Sequence, residues 1–198
     1  SQHFRNLNEV EPDGALLKAI MLNTADYVGN PGPSFSAGYG VLNARRAAEV
    51  ITKASYFKGV VLEGETQTFS IEVPALVNGK SISQLKIMLV WNDLPGEAYA
   101  ESALVNNLDL SVSDGVSTHL PWVLDATPSQ VAEPATRGVD RLNNVEQVAI
   151  DSPAIGLFTA KVNGLAVTGE QPFCLVYSYV LEELELTFPI GDEQFFAN

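Results

Sequence analysis

Two stretches of the sequence are rich in side-chain oxygens, and they are the best candidates for chemistry. One comprises residues 90–96 together with 104–110, and the other comprises residues 140–146. Calcium takes about six to eight ligands from carboxylates, amides and backbone carbonyls, which strand ends rich in Asp and Asn can supply. Neither stretch has the spacing of an EF-hand loop. An equally weighted interpretation is that these residues only cap turns through side-chain to backbone hydrogen bonds.

Glu146 is the most informative of these acidic residues. It shares its strand parity with Val148 and Ile150, so its side chain is expected to face the interior. A buried carboxylate needs a cation, an arginine or several hydrogen-bond donors. Arg137 and Arg141 are candidates that lie near it in the sequence. A metal ion is the other candidate.

Nucleophilic hydrolysis has little support in the residues. The two histidines are His3 and His119, and no Gly-x-Ser-x-Gly motif is present. A triad needs a histidine held between a hydroxyl and a carboxylate, and neither sequence context indicates one. We interpret both as surface or loop residues. Cys174 alternates with Phe173 and Leu175 in a strand pattern, which is typical of a small buried hydrophobic residue.

The two tryptophans could stack on sugars or pack in a core. Trp91 has the parity of Ile87 and Leu89, which predicts a core position. Trp122 follows a proline, and both roles stay open for it. An exposed row of aromatic side chains around Trp122 and Tyr99 would favour a carbohydrate-binding surface.

Composition excludes several classes of protein. The chain has 198 residues, of which 46% are hydrophobic, and a formal net charge of −13. A surface this acidic repels a phosphate backbone, so nucleic acid is not an expected partner. The single cysteine excludes an internal disulfide and zinc sites built from several thiolates. No apolar run reaches the roughly 18 residues that a membrane span requires, so no membrane association is expected. Acidity with abundant Asp and Asn fits an extracellular protein.

The elements that must position these residues change character along the chain. Residues 1–54 have helical patterns, with Asp13 as the predicted N-cap of a helix over 14–22 and a second helix over 41–53. Two such helices cannot cover each other's apolar surface, so another part of the protein, or the β-part, must complete their core. From residue 55 to 182 the period is two, which predicts a mainly β jelly roll or β-sandwich. The strand patterns centre on residues 69–73, 85–91, 108–112, 148–150, 158–162 and 173–177, and a long exposed loop is predicted over 126–140.

Several motifs in order resemble the end of a subtilisin-like serine protease, or subtilase. In the helical part these are LLKAIMLNTA at 16–25, Gly32-Pro33, and GYGVLNA at 38–44. The β-part resembles the jelly-roll domain appended to secreted bacterial subtilases, a relative of the P domain of proprotein convertases. Its motifs are LVWND at 89–93, LVNNLDL at 104–110, NNVEQV at 143–148 and QPF at 171–173.

The resemblance implies a division into three parts. Residues 1–54 would be a short two-helix remnant of the α/β subtilisin-like peptidase domain. Residues 55–182 would be the jelly-roll domain. Residues 183–198 would be a linker and the start of an immunoglobulin-like module, since 186–193 resemble its opening strand.

The resemblance also implies a function for the whole. The family's catalytic Asp, His and Ser would lie upstream of Ser1, so this chain is expected not to be an enzyme although its parent is a serine endopeptidase. Its expected partner is that missing catalytic domain, which the jelly roll would stabilise while shaping the access of polypeptide substrates. A carbohydrate- or surface-binding module is the alternative. Secretion and bound calcium are further implications, and the motifs place the calcium ligands at Asp93, Asn107, Asp109, Asn144 and Glu146.

Overall fold

Antiparallel strands make up most of the computed structural model, which describes residues 1–100 and 102–182. The predicted start of an immunoglobulin-like module at 183–198 lies outside the described residues. The helices within the described part are α1 (Gln2–Asn8), α2 (Gly14–Asn23) and α3 (Ala44–Thr52). The strands are β1 (Tyr56–Val61), β2 (Thr66–Val73), β3 (Ile82–Trp91), β4 (Asn107–Ser113), β5 (Thr118–His119), β6 (Trp122–Val123), β7 (Thr136–Arg137), β8 (Val145–Asp151), β9 (Gly156–Ala166) and β10 (Gln171–Leu181).

Two four-stranded sheets face each other across the main core. The first has the order β1-β10-β3-β8 and the second has the order β2-β9-β4-β5, while β6 and β7 form a separate ribbon. Alternate residues of each strand point between the sheets, as the period of two predicts. The mainly β, sandwich-type fold expected from the sequence is therefore confirmed. Fully buried members of this inner core include Leu85, Ile87, Leu89, Trp91, Leu108, Val148, Ala160 and Leu175.

Strand β3 is buried on both faces. Its odd-numbered residues from 85 to 91 enter the inner core, and the intervening Lys86, Met88 and Val90 are also at most 2% exposed. A strand covered on both sides must be apolar almost throughout, which explains the nearly continuous hydrophobic run at this position. Neighbouring β10 behaves in the same way, with Cys174 and Val176 buried on its outer face.

The three helices supply the cover for this outer face. Leu16, Ala19 and Ile20 of α2 belong to one buried cluster with Met88 of β3 and Val176 of β10. Phe4 of α1 and Val50 and Ile51 of α3 complete the cluster. The sequence left open whether another part of the protein or the β-part covers the helices. For this apolar face, the β-part does. The same cluster joins the predicted peptidase remnant to the predicted jelly roll, and the boundary near residue 54 stays a prediction.

The helix boundaries follow from their caps. Asp13 is the N-cap of α2, and its Oδ1 accepts a hydrogen bond of 2.9 Å from the amide of Leu16, as predicted. The next predicted helix starts at Ala44 instead of residue 41, because Asn43 is its N-cap and accepts from the amide of Arg46. Helix α1 is an additional helix, so the two-helix description was incomplete.

The segment between α2 and α3 is held by close backbone contacts. Gly40 has φ +106°, and a Cβ at this position would lie 2.0 Å from the carbonyl oxygen of Asp26. Asp26 and Val41 exchange two backbone hydrogen bonds of 2.8 Å beside it. Only glycine fits this approach, which accounts for the glycine at position 40.

Shortening Ile20 tests whether the helical layer and the sandwich form one cooperative structure. Ile20 is 1% exposed, so Ile20→Ala should lower the free energy of unfolding by about 2–4 kcal/mol. Urea denaturation followed by far-UV and by near-UV circular dichroism, which reports the buried Trp91, should give one common midpoint. The control is Leu157→Ala on β9, where the side chain is 61% exposed and the effect should stay within about 0.5 kcal/mol. Loss of helix signal at an unchanged near-UV midpoint would show that the two layers unfold independently.

Candidate functional site

Glu146 lies in the interior where strand β8 of the first sheet meets strand β4 of the second. The residue is 1% exposed, and it pairs with Leu89 in the register of β8 on β3. Its Oε2 accepts a hydrogen bond of 2.6 Å from the backbone amide of Leu110. The inward orientation predicted from strand parity is therefore what the structure has. The carboxylate connects the two sheets at this edge.

Three side-chain oxygens near this edge are buried without any hydrogen-bond partner. They are Oε1 of Glu146, Oδ1 of Asp109 and Oδ1 of Asn107. Native proteins pair nearly all buried polar atoms, because a buried acceptor without a donor costs about 1–3 kcal/mol. All three belong to the residues that the sequence proposed as calcium ligands. A cation is one kind of ligand that satisfies a buried oxygen of this type.

Burial makes the carboxyl groups at this edge harder to ionise. Burial is the main cause that raises the pKa of Glu146 to about 9, and the nearby carboxylates of Asp109 and Asp140 raise it further. The amide of Leu110 and the charge of Arg141 act in the opposite direction. The pKa of Asp109 is also raised, mainly by burial. A positive charge placed among these groups would relieve both effects.

Neither arginine considered as a partner for Glu146 satisfies its free oxygen. Arg137 donates to the backbone carbonyls of Leu120 and Ala149, and its guanidinium lies over the ring of Trp122. Arg141 is close enough to lower the pKa of Glu146, but Oε1 has no donor. The contacts of Arg137 are therefore made around the β6–β7 ribbon and not with Glu146. Arg141 contributes charge to the acidic edge without a hydrogen bond to this oxygen.

Asp93 has the role of a turn cap. Its Oδ1 accepts from the amides of Leu94 and Asn106, and its Oδ2 accepts from the amide of Val105, at 2.7–2.8 Å. These three bonds fold the long connection between β3 and β4 back onto its own start. The competing interpretation of the Asp- and Asn-rich stretches thus describes the contacts that Asp93 makes in the structure.

Asn144 and Asp140 also act on local structure. Asn144 donates from Nδ2 to the carbonyl of Trp91 at 2.9 Å and accepts from Nζ of Lys18 at 3.4 Å. Asp140 accepts from the amides of Leu142 and Asn143 and closes the turn before β8. Of the five predicted ligands, three have free buried oxygens and two are engaged in hydrogen bonds.

The free oxygens are of the kind that a hard cation uses. Within residues 1–100 and 102–182, no three His, Cys, Asp or Glu side chains form a metal-binding group. A cation here would therefore use the amide of Asn107 beside the carboxylates of Asp109 and Glu146. Calcium usually takes about six to eight oxygen ligands, so carbonyls and water would have to supply the remaining positions.

No catalytic triad is formed around either histidine. Nε2 of His3 lies 2.8 Å from the hydroxyl of Thr52, and the hydrogen bonds of the described residues give it no carboxylate. Nε2 of His119 lies 3.5 Å from Asp114 and has no hydroxyl partner there. Cys174 is 4% exposed, and burial is the main cause that raises the pKa of its thiol to about 12, as expected for an unreactive core cysteine.

The two tryptophans have different surroundings. Trp91 is fully buried and donates from Nε1 to the carbonyl of Asn106 at 2.9 Å, which confirms its core position. Trp122 is partly buried; Cζ of Arg137 lies 3.3 Å from its ring centroid, and a Cβ at Gly32 would lie 2.8 Å from the indole. Tyr99 is fully exposed. Of the two residues considered for an exposed aromatic row, only Tyr99 is fully exposed.

A buried polar network between the helices and the sheet was not predicted from the sequence. It includes Asn23, Lys86 and Gln147, which are 0–2% exposed. The only signal was a polar residue within an otherwise apolar strand, as at positions 86 and 147, and strand parity could have found these two. Asn23 at the end of α2 had no such signal, because its partners lie more than 60 residues away.

Comparison with known proteins gives one informative similarity. No family model matches the chain. The chain is similar to the serine protease/ABC transporter B family protein tagA of Dictyostelium discoideum, with 26% identity over 164 residues. The match covers 78% of this chain and 9% of that protein. The chain thus has a protease-related similarity and spans less than a tenth of the relative's length. No helix within the described ranges is long and apolar enough to cross a bilayer.

Replacing Asp93 tests its assignment as a turn cap. Asp93→Ala removes the acceptor of three backbone amides and should lower the free energy of unfolding by about 1–3 kcal/mol. Urea denaturation should give the same loss with millimolar calcium and with chelator. Glu97→Ala in the same exposed connection is the control and should have little effect. A loss seen only when calcium is present would instead identify Asp93 as a ligand.

Proposed function

We propose that this chain is a non-catalytic region of a serine endopeptidase, in which the β-sandwich stabilises the peptidase and shapes the access of polypeptide substrates. The similarity to a serine protease-containing protein over 78% of the chain is the observation that carries the proposal. The separate positions of His3 and His119, each without a complete set of triad partners, support the non-catalytic part. Secretion belongs to the same proposal and rests on the acidic composition.

The partner in this proposal is the peptidase domain of the same protein. Helix α2 uses its buried face against the sheet, so a peptidase would contact the opposite side of the helical layer. Residues 21–42 carry several large apolar side chains that are about half exposed or more, as expected of a surface that another domain covers. They are Met21, Val28, Phe35, Val41 and Leu42.

The proposed lack of catalysis has a direct test. Purified chain should not hydrolyse casein or a peptide ester above the rate of buffer, and a fluorophosphonate probe should not label it. Subtilisin at the same concentration is the positive control for both assays. Hydrolysis that is abolished by a serine-protease inhibitor would contradict the proposal.

We also propose that Asn107, Asp109 and Glu146 hold a calcium ion of structural function. Asn107 and Asp109 belong to β4 and Glu146 belongs to β8, so a shared ion would link the two sheets. Among the described strands, β9 pairs with β4 over residues 107–113, while β5 pairs on the other side of β4 only at Val112 and Ser113. Asp93 and Asn144 would act indirectly by fixing the connections on either side. The support for this proposal is the set of three buried oxygens without donors.

Glu146→Gln tests the calcium proposal, because the amide keeps the size of the side chain and can still accept from Leu110. Calcium at about 100 times its dissociation constant should raise the melting temperature of the natural chain by about 5–8 °C relative to chelator. The variant should lose most of this increase. Glu72→Gln, at an exposed position of β2, should keep it. An absent shift in the natural chain at millimolar calcium would contradict the proposal, and an equal shift in Glu146→Gln would contradict the assigned ligand.

A further inference from the structure

A closed network of buried polar groups fastens the end of α2 to the outer face of the first sheet. Asn23 donates from Nδ2 to the carbonyl of Lys86 on β3 at 3.2 Å and to the hydroxyl of Ser178 on β10 at 3.1 Å. Its Oδ1 accepts from Nε2 of Gln147 on β8 at 3.2 Å. The Oε1 of Gln147 accepts from the hydroxyl of Tyr27 at 2.8 Å. One asparagine is therefore tied to three strands.

Lys86 makes the least expected contact of this network. The residue is 2% exposed, and its Nζ donates to the carbonyl of Ala25 at 2.8 Å. The same nitrogen lies 3.5 Å from the centroid of the Tyr27 ring. No carboxylate is hydrogen-bonded to it in the described part of the chain. A buried ammonium held by one carbonyl and one aromatic face is only partly compensated.

Three charged groups act electrostatically on Lys86. Arg46 approaches from α3, Asp26 from the segment after α2, and Asp151 from β8. Burial is the largest cause that lowers the pKa of Lys86 to about 8, and Arg46 lowers it further, while the two carboxylates oppose this change. Tyr27 stays neutral over the same range, because burial raises its pKa to about 12.

We propose that Lys86 is a latch that fixes residues 24–43 and the end of α2 on the sandwich, and that this latch tightens as the pH rises. Lys86 would hold this segment in place because its amine donates to the carbonyl of Ala25 and lies over the ring of Tyr27. The inference rests on contacts within this chain and stands whether or not the chain braces a peptidase.

The direction of the pH effect follows from proton linkage. When residues 24–43 detach, Lys86 is exposed to water and regains its ordinary pKa near 10.5. Between pH 8 and 10.5 the detached state therefore binds more protons than the attached state, so attachment becomes more favourable as the pH increases. The neutral amine still has hydrogens for the carbonyl of Ala25, so deprotonation removes the burial cost and keeps the hydrogen bond.

Amide hydrogen exchange on the full chain tests the latch. Rates for residues 24–43 are measured from pH 7 to 10.5, and the rates of unstructured peptides at each pH are divided by them to give the protection. In the natural chain this protection should rise by about 10- to 100-fold across the range. Lys86→Met keeps the length of the side chain but has no amine to titrate, so its protection should not rise with pH and should be the lower of the two at pH 10.5, where the neutral amine keeps its hydrogen bond to Ala25. Lys161→Met, at an exposed position of β9, should match the natural chain.

Two controls keep the outcome interpretable. The amides of β4 and β9 must stay protected in Lys86→Met, which shows that the sandwich itself is folded. If they do not, the pH profile of the natural chain still decides the question. A flat profile in the natural chain, or the same rising profile in Lys86→Met, would overturn the inference.

Discussion

The structure depends on one constraint: the sheet β1-β10-β3-β8 is covered on both faces. Its inner face closes against the second sheet, and its outer face closes against the helices. Every residue of the central strands must then be compatible with burial, which excludes most polar side chains. The helical layer is needed because uncovered Met88, Cys174 and Val176 would expose a large apolar surface. The buried face of the helices is occupied by packing against this sheet, whatever their role in a larger protein.

Polar groups within this double-sided sheet are correspondingly few, and each has a defined place. Glu146 and Gln147 are neighbours in β8, and strand geometry directs them to opposite faces. Glu146 enters the inner edge, where three oxygens lack donors, and Gln147 enters the helical layer, where it completes a network with Asn23 and Tyr27. Adjacent residues of β8 therefore take part in the proposed cation site and in the polar network that includes Lys86.

The protease-related similarity and the geometry support the same functional interpretation. The match covers 78% of the chain. The helical layer and the sandwich are joined by a shared core. A region built this way can present the outer side of its helices to another domain while its own packing stays intact.

Local sequence patterns were enough to predict the main strands, the start of α2 and the inward orientation of Glu146. Period-two alternation, an N-cap residue and strand parity depend on near neighbours in the chain. Which oxygens at the acidic edge lack donors follows from long-range packing, since Asp93 and Asn144 are satisfied by groups that the local pattern does not reveal. The same holds for α1, for the covering of Trp122 by Gly32, and for the contact of Lys86 with Ala25. Each of these contacts joins residues that are about 50 to 90 positions apart in the sequence. Such contacts depend on how the layers pack, so local periodicity does not reveal them.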